Sequence, residues 1–146
     1  GDAYTLDYWK DIAKKIEDMG AKSLCIKDMA GLLTPYKATE LVTALKESVE
    51  IPIDLHTHYT SGVASMTYLK AVEAGCDIID TAMSPFALGT SQPATEVMVE
   101  TFRGSIRERS YEYESTWCKY QYSSLSGSRR YAFEPCFPAE RNGTGR

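Results

Sequence analysis

The sequence predicts an α/β fold in which helices alternate with the strands of a parallel sheet. Three short apolar segments begin near positions 23, 52 and 77, and each has the length of a buried strand. Amphipathic segments with apolar residues three or four positions apart lie between them. Units of this length in this order imply right-handed crossovers, which make the strands parallel.

The first two helices have clear sequence boundaries. Thr5 is the predicted N-cap of a helix over residues 5–19, and the glycine that follows is its predicted stop. After a strand at 23–27, Thr34 offers a capping hydroxyl and the next residue is a proline, which favours a helix start there. The second strand is predicted at 52–56.

The remaining units follow the same alternation. A third helix is predicted from Ser61 to about residue 74, with Met66 on its buried face, and the third strand follows at 77–81. Pro93 is the predicted first residue of a fourth helix that ends near Phe102. We therefore expect about three βα units with flanking helices.

Composition excludes several classes of function. The 146 residues carry a net charge of −4, which gives no reason to expect binding to nucleic acid or to an anionic membrane. No apolar run approaches the ~20 residues of a membrane span and no secretory signal is recognisable, so we expect a cytoplasmic protein without membrane insertion. The four cysteines show no CxxC spacing, which argues against a zinc knuckle or a redox motif.

The composition changes abruptly after Phe102. All seven arginines lie in residues 103–146, whose net charge is +3, whereas residues 1–102 carry −7. Ile106 and Leu125 are the only Ile, Leu, Val or Met residues of this tail, so it has little apolar surface to offset the entropy of ordering. We therefore divide the chain into a domain at 1–102 and an irregular or disordered tail at 103–146.

Three interpretations of the tail stay open: a disordered basic appendage, a region that folds only with a partner, or out-of-frame sequence. The last is favoured because propensity, pattern and turn chemistry agree before Phe102 and disagree after it. RNA binding through arginine and tyrosine is a weaker alternative, since the tail contains no recognisable RNA-binding module.

The two histidines of the chain stand two residues apart, at the end of the second predicted strand. Because successive side chains on a strand point to opposite faces, His56 and His58 share a face with Asp54. Neutral imidazoles aimed at one point can bind a divalent metal such as zinc, manganese or cobalt. A pair of hydrogen-bonded structural histidines is the alternative.

Candidate functional residues gather where the predicted strands end. Lys27, His56 and the loop after Thr81 all lie at C-terminal strand ends, where closed α/β barrels build their active sites. An open sheet binds ligands at the same edge, so the barrel is preferred without being required. A complete TIM barrel needs ~250 residues, and this chain would therefore hold only part of one.

Four motifs resemble, in the same order, those of the carboxyltransferase domain of biotin-dependent enzymes. This group includes pyruvate carboxylase, the oxaloacetate decarboxylase α subunit and the transcarboxylase 5S subunit. The motifs are Ile-Lys-Asp-Met-Ala-Gly-Leu-Leu at 26–33, Asp-Leu-His-Thr-His at 54–58, Ser-Gly-Val-Ala-Ser-Met at 61–66 and Gly-Thr-Ser-Gln-Pro at 89–93. The Tyr-Thr-Ser-Gly run at 59–62 is more similar to the decarboxylase and transcarboxylase branch than to pyruvate carboxylase.

The resemblance implies the C-terminal part of a TIM (β/α)8 barrel with a divalent metal in its active site. It makes Lys27 a carbamylated, metal-bridging lysine and makes His56 and His58 metal ligands. Lys27 suits this role only after CO2 addition, because a lysine ammonium has no lone pair. The metal would polarise the carbonyl of a keto acid so that an enolate is stabilised. A solvent-directed lysine is the alternative for Lys27.

The resemblance also implies that Thr90 shuttles a proton between biotin and the enolate of pyruvate. A hydroxyl can both donate and accept a hydrogen bond, which suits such a relay. The alternative is a helix cap ahead of Pro93, for which Ser91 is the nearer candidate.

Parts of the family pattern have no counterpart in this sequence. They are the metal-ligating aspartate and substrate-binding arginine of the first barrel strand, and the Ala-Met-Lys-Met biotin-attachment motif. Biotin is therefore expected on another domain or subunit. The resemblance implies a carboxyltransferase fragment that acts on pyruvate or oxaloacetate, is inactive or nearly so alone, and is oligomeric in the full-length protein.

Two other functions stay open. Hydroxymethylglutaryl-CoA lyase and isopropylmalate synthase also place a His-x-His metal pair on a late strand, and a carbamate on Lys27 would favour carboxyl transfer over them. The second is a non-catalytic binding or assembly fragment whose basic tail engages a partner.

Overall fold

The computed structural model describes residues 4–105, together with the backbone of 111–114 and 119–122. The helices are α1 (Leu6–Asp18), α2 (Pro35–Lys46), α3 (Ala64–Glu73) and α4 (Thr95–Phe102), and the strands between them are β1 (Leu24–Asp28), β2 (Ile53–Thr57) and β3 (Ile78–Ala82). Two further strands, β4 (Tyr111–Glu114) and β5 (Lys119–Tyr122), lie in the tail. The predicted α/β order of the first 102 residues is confirmed.

The described strands form one mixed sheet in the order β1-β2-β3-β5-β4. The β1–β2 and β2–β3 pairs are parallel, as the crossovers predict, whereas β5 pairs antiparallel with both β3 and β4. No strand was predicted in the tail from the sequence. Yet Tyr-Glu-Tyr-Glu and Lys-Tyr-Gln-Tyr each alternate an aromatic with a polar residue, which is the period of a strand. The rest of the tail prediction lies outside the described residues.

The core fills the space between one face of the sheet and the helices. Ile53, Leu55 and Ile79 of the sheet pack with Val42 of α2 and Tyr68 of α3, and all five are fully buried. The removal of this much apolar surface from water is the main stabilising term of the fold. The opposite face of the same strands carries the polar residues described below.

Helix α1 is capped at its N-terminus and hydrogen-bonded to another part of the fold near its C-terminus. Its predicted N-cap is confirmed, because the Thr5 hydroxyl accepts the N–H of Tyr8 at 3.2 Å. Near the other end, a carboxylate oxygen of Glu17 accepts the N–H groups of Glu50 (2.7 Å) and Ile51 (3.2 Å), just before β2. The helix is therefore hydrogen-bonded to the loop that leads into the central strand.

Three predicted details of the middle helices are wrong. Thr34 occupies the N-cap position of α2, but its hydroxyl makes no capping hydrogen bond there. Helix α3 begins at Ala64 and not at Ser61, because a short 3-10 turn and the left-handed Gly62 come first. Met66 is exposed, and the aromatic ring of Tyr68 takes the buried place on α3.

The start of α4 also differs from the prediction. Its first residue is Thr95, and the backbone of Pro93 instead accepts the N–H of Ala82 at the end of β3. Over the part of the chain that the structure describes, no helix has the length and hydropathy of a membrane span.

Candidate metal centre

The register of the sheet brings polar side chains from three strands into one row. Lys27 of β1 is paired with His56 of β2. Leu55 is paired with Ile79, so His56 and Asp80 are the next residues along their strands. Since Leu55 and Ile79 face the helices, this polar row faces the opposite side of the sheet.

The imidazole of His56 is held by a buried carboxylate. Its Nδ1 lies 2.6 Å from Oδ2 of Asp80, and both side chains are less than a tenth exposed. An ionised carboxylate only accepts hydrogen bonds, so Nδ1 carries the proton and Nε2 presents its lone pair. Carboxylates orient metal-binding histidines in this way in many proteins.

The imidazole of His58 is held by a loop of the main chain. Its Nδ1 donates to the carbonyl oxygen of Thr90 at 2.5 Å, and its backbone N–H donates to the carbonyl of Asp28 at 3.1 Å. A carbonyl oxygen only accepts, so Nδ1 of His58 is also the protonated nitrogen. The lone pair of this ring is again on Nε2.

The two lone-pair nitrogens point at each other. Nε2 of His56 and Nε2 of His58 are 3.1 Å apart. Two acceptors at this distance repel unless a donor or a cation lies between them. Ligand atoms ~2.1 Å from a tetrahedral or octahedral cation lie ~3.0–3.4 Å from each other. The pair therefore fits two adjacent positions around a divalent metal.

A third residue at this point was not predicted from the sequence. The side-chain amide of Gln92 lies 3.3 Å from Nε2 of both His56 and His58. Its Oε1 accepts from the hydroxyl of Ser91 at 3.3 Å. Gln92 belongs to the Gly-Thr-Ser-Gln-Pro motif, and its place in that motif is the sequence signal that points to it.

Asp28, beside Lys27, fastens the end of β1 to the loop that follows. Its carboxylate accepts the N–H groups of Leu32 (3.0 Å) and Leu33 (2.8 Å) and the hydroxyl of Thr57 (2.8 Å). Partial burial opposes ionisation, but these hydrogen bonds outweigh it and hold the pKa of Asp28 below its ordinary value. These contacts give Asp28 a structural task at the end of β1.

Tyr68, on the helix side of the sheet, is hydrogen-bonded to the two strands that carry His56 and Asp80. Its hydroxyl donates to the carbonyl of Asp80 at 2.6 Å and accepts the N–H of Thr57 at 3.1 Å. Complete burial raises the pKa of Tyr68 well above its ordinary value, so the hydroxyl keeps its proton. One side chain therefore ties the carboxyl end of β2 to the strand that carries Asp80.

Lys27 lies in the row but is exposed, because β1 is an edge strand of the described sheet. Within residues 4–105, no three His, Cys, Asp or Glu side chains are grouped for metal binding. The imidazoles need ligands of another type to complete a coordination sphere.

Thr90 is exposed, and its contact with His58 comes from the main chain, so a residue of another type at position 90 could supply it. The helix-cap alternative is wrong for both Thr90 and Ser91, because the N-cap position of α4 is Ala94. The geometry therefore brings the loop of Thr90 to the imidazoles, and among the residues that the structure describes its hydroxyl has no hydrogen-bond partner.

Comparison with known proteins identifies the family. The profile of the HMGL-like family matches residues 3–112. The chain belongs to the HMGL-like family. Its relatives within that family are the carboxyltransferase domains of pyruvate carboxylase and transcarboxylase, as the four motifs indicated.

Three curated relatives illustrate the match. A pyruvate carboxylase subunit from Methanocaldococcus jannaschii is 59% identical over 102 residues, which are 70% of this chain and 18% of that protein. Pyruvate carboxylase of Bacillus subtilis is 53% identical over 104 residues, 71% of this chain and 9% of that protein. The methylmalonyl-CoA carboxyltransferase 5S subunit of Propionibacterium freudenreichii is 36% identical over 113 residues, 76% of this chain and 22% of that protein.

The fold agrees with solved structures of the same domain. The carboxyltransferase domain of pyruvate carboxylase from Rhizobium etli superposes with a TM-score of 0.69 at 47% identity, over 70% of this chain and 17% of that one. That domain has also been solved with pyruvate and with pyruvate plus biocytin. This HMGL-like chain therefore spans about a fifth or less of the relatives it matches, and it forms part of a TIM barrel.

Proposed function

We propose that this chain supplies part of a divalent-metal site for biotin-dependent carboxyl transfer, with His56, His58 and Lys27 as ligands. The observation that carries the proposal is the convergence of the two imidazole Nε2 atoms at 3.1 Å, each with its Nδ1 already engaged. When bound there, the metal would supply a positive charge that polarises the carbonyl oxygen of a keto acid.

Lys27 would act as a carbamate. The lone pair of its neutral amine attacks the carbon of CO2 and forms a C–N bond, while one C=O π bond opens and its electron pair moves to oxygen. One N–H proton is lost to solvent, so an anionic group with two oxygen donors results. Its pairing with His56 across β1 and β2 supports this, because the carbamate oxygens would extend over the same face of the sheet. A carboxylate-like oxygen is a suitable ligand for zinc, manganese or cobalt.

Thr90 would contribute its hydroxyl as the proton relay between biotin and the enolate of the substrate. The exposure of this residue, on a loop whose main chain reaches His58, supports the assignment. Its backbone contact is a separate, structural task, so a variant without the hydroxyl would retain the imidazole geometry. A hydroxyl that only fills space would be replaced by a methyl group without loss of transfer.

The substrates and partners follow from the relatives. We propose pyruvate or oxaloacetate as the substrate, with biotin delivered by another domain or subunit, since solved relatives contain pyruvate and biocytin. The preference for an oxaloacetate decarboxylase-like reaction, the oligomeric state and the cytoplasmic location remain predictions. Identities of 36–59% to carboxylases and a carboxyltransferase favour this chemistry over the lyase and assembly alternatives.

The proposal is tested most sharply in a chimera. Residues 4–105 would replace the matching segment of the Methanocaldococcus jannaschii pyruvate carboxylase subunit, which is 59% identical, so that a complete barrel is restored around them. We expect the chimera to support pyruvate carboxylation with its biotinylated carrier. In it, Lys27→Ala, His56→Ala and His58→Ala should each abolish the reaction and reduce the bound metal.

Two further variants of the chimera separate the roles. Thr90→Val should lose carboxyl transfer and keep its metal, whereas Thr90→Ser should keep both. Carbon-13 labelled bicarbonate should give a carbamate signal that Lys27→Ala removes. A folded chimera that transfers carboxyl groups equally well without Lys27 or without both imidazoles would exclude the proposed site.

A further inference from the structure

The edge of β3 that faces away from β2 is occupied by a strand from the tail of the same chain. Three residues of β3 pair antiparallel with three of β5: Asp80 with Gln121, Thr81 with Tyr120 and Ala82 with Lys119. In a TIM barrel every strand has a parallel neighbour on each side. The antiparallel strand β5 therefore takes the place that a barrel gives to its next parallel strand.

Backbone directions identify the groups that join these two strands. Ala82 is bridged in parallel to Ala94, and its N–H donates to the carbonyl of Pro93 at 3.0 Å, on the edge opposite to β5. Because the backbone groups of successive residues point to opposite edges of a strand, those of Thr81 point at β5. Thr81 and Tyr120 are then the pair that exchanges hydrogen bonds between the strands.

The same alternation assigns the backbone directions in β4. Tyr120 is paired with Tyr113 of β4, but its own N–H and carbonyl point at β3. The backbone groups of Tyr113 consequently point away from β5, to the outer edge of the last strand in the described sheet. The two tyrosines are paired with each other, yet only Tyr120 contributes to the junction with β3.

The register of β4 and β5 continues the two-faced pattern of the sheet. Gln121 and Glu112 are in register with Asp80 of the polar row. Tyrosines at the intervening positions are in register with Thr81, whose hydroxyl shares a hydrogen bond with that of Thr95 on α4, on the helix side. A shift by one residue would exchange the two faces, so the sequence of these strands favours the observed register.

We propose that the hairpin of β4 and β5, residues 111–122, is an edge cap that excludes any other strand from β3 until it is released. Four residues separate its two strands, a usual length for a hairpin loop. Strand β5 lies beyond residue 112, where the match to the family profile ends. Exposed strand edges pair readily with other chains, which a cap of this kind prevents. The inference goes beyond the proposed function and does not depend on metal binding.

The test is amide hydrogen exchange of the full 146-residue chain, followed by NMR, with two proline variants. Tyr120→Pro removes the N–H that points at β3, whereas Tyr113→Pro removes one at the outer edge, where proline is tolerated. The Thr81 amide should exchange about 100-fold more slowly than an unstructured amide in wild type and in Tyr113→Pro. In Tyr120→Pro it should exchange about tenfold faster than in wild type, while the Leu55 amide of β2 keeps its protection.

Release of the edge should also permit association between copies of the chain. Light scattering over a range of protein concentrations should give a higher mass for Tyr120→Pro than for wild type or Tyr113→Pro. The edge of β1 is present in all three proteins, so association through that strand contributes equally to each.

Each contrary result would overturn the inference. A Thr81 amide that exchanges in wild type as fast as an unstructured one would do so without any variant, and so would equal Thr81 exchange in the two proline variants. Faster exchange in Tyr120→Pro at an unchanged mass would show a contact that excludes no strand. Loss of protection at Leu55 as well would make β5 an integral strand and not a releasable cap. Because no metal is added, none of these results alters the proposed function.

Discussion

Gly31 shows how a single residue fixes the position of a candidate ligand. It has φ +65°, a left-handed conformation that only glycine adopts without strain. A Cβ atom at this position would collide with the carbonyl oxygen of His58. The glycine that ends the Lys-Asp-Met-Ala-Gly motif therefore allows the backbone of His58, just after β2, to approach the loop after β1.

Replacement of Gly31 by alanine should lower the free energy of unfolding by more than the strain of its backbone angle alone would. Gly20 provides the matched control, because it has φ +90° and no heavy atom within 4 Å of the added Cβ. We expect Gly20→Ala to lower the free energy of unfolding by about 1–2 kcal/mol. Gly31→Ala should lower it by on the order of 3 kcal/mol, because the collision adds to the strain. Urea denaturation of both variants measures the two free energies of unfolding. Equal losses in the two variants would show that the predicted collision with the carbonyl of His58 does not destabilise the fold.

At the scale of elements, Tyr68 connects the helix layer to the site. Its ring lies in the core on α3, and its hydroxyl bonds to the backbone of Thr57 and Asp80 on two neighbouring strands. These strands carry His56 and the carboxylate that orients it. The geometry of the site therefore depends on the packing of a helix on the other face of the sheet.

Removal of the Tyr68 hydroxyl should destabilise the fold although it preserves the ring. Tyr68→Phe leaves a buried N–H and a buried carbonyl without this partner, which costs about 1–3 kcal/mol. Tyr36→Phe is the control, since Tyr36 is 77% exposed and its change should stay within about 0.5 kcal/mol. Thermal unfolding of the two variants tests the expectation. Equal unfolding midpoints for the two variants would mean that the hydrogen bonds of the Tyr68 hydroxyl do not stabilise the fold.

The contribution of Glu17 on helix α1 to the stability of the fold should depend on pH. Its Glu17 accepts hydrogen bonds from Lys14 and from the backbone of Glu50, and these lower the pKa of the carboxyl. Because its folded pKa is below its unfolded value, the carboxylate stabilises the fold at pH above ~4.3. That contribution disappears as the pH falls through the folded pKa.

Glu17→Gln should therefore be less stable than wild type at pH 7 and indistinguishable from it near pH 3. A protonated glutamate resembles glutamine, which is why the two stability curves converge in acid. Glu40→Gln removes a surface ion pair with Lys37 and is expected to have a smaller effect at pH 7. Denaturant unfolding at several pH values gives the curves; a difference that persists unchanged at pH 3 would exclude the carboxylate as its cause.

Most elements of the fold could be predicted from the sequence, because periodicity and local caps act over a few residues. Thr5 and the helix after it were found in this way, and so were the three parallel strands. Helix α3 was placed too early because Gly62, in a left-handed conformation, lets a separate turn precede it. Burial of Tyr68 in place of Met66 depends on contacts across the sheet, which no local pattern reveals.

The candidate site was predicted only in part for the same reason. The alternation of a strand places His56 and His58 on one face, so their proximity follows from spacing alone. Asp80 and Gln92 lie 24 and 36 residues from His56, and only the parallel register and the path of a loop bring them to it. Such long-range partners require the tertiary structure.

At the scale of the whole molecule, the described sheet contains three parallel strands, whereas a complete TIM barrel has eight. Lys27 is exposed on the first of them, so the face that would line a barrel interior is open to solvent beside the site. An open site does not exclude water from charged groups, and electrostatic stabilisation there is weaker. Full catalysis is expected to need the remaining strands.

We therefore predict that the purified chain shows no metal-dependent decarboxylation of oxaloacetate. The release of pyruvate, followed with a coupled assay in the presence of Zn2+, Mn2+ or Co2+, measures it. The chimera with a complete barrel, assayed in parallel, serves as the positive control. Turnover by this chain at a rate comparable with that control would contradict the need for the other strands.

The central claim is that His56 and His58 direct two lone pairs at one cation, and nitrogen-15 NMR of the imidazoles tests it most directly. At pH 8 without metal, both rings should be Nδ1–H tautomers, because Asp80 and the carbonyl of Thr90 accept those protons. Addition of Zn2+ should shift the Nε2 resonances of both rings together. A proton on Nε2 of either ring, or a response to Zn2+ confined to one ring, would contradict the account.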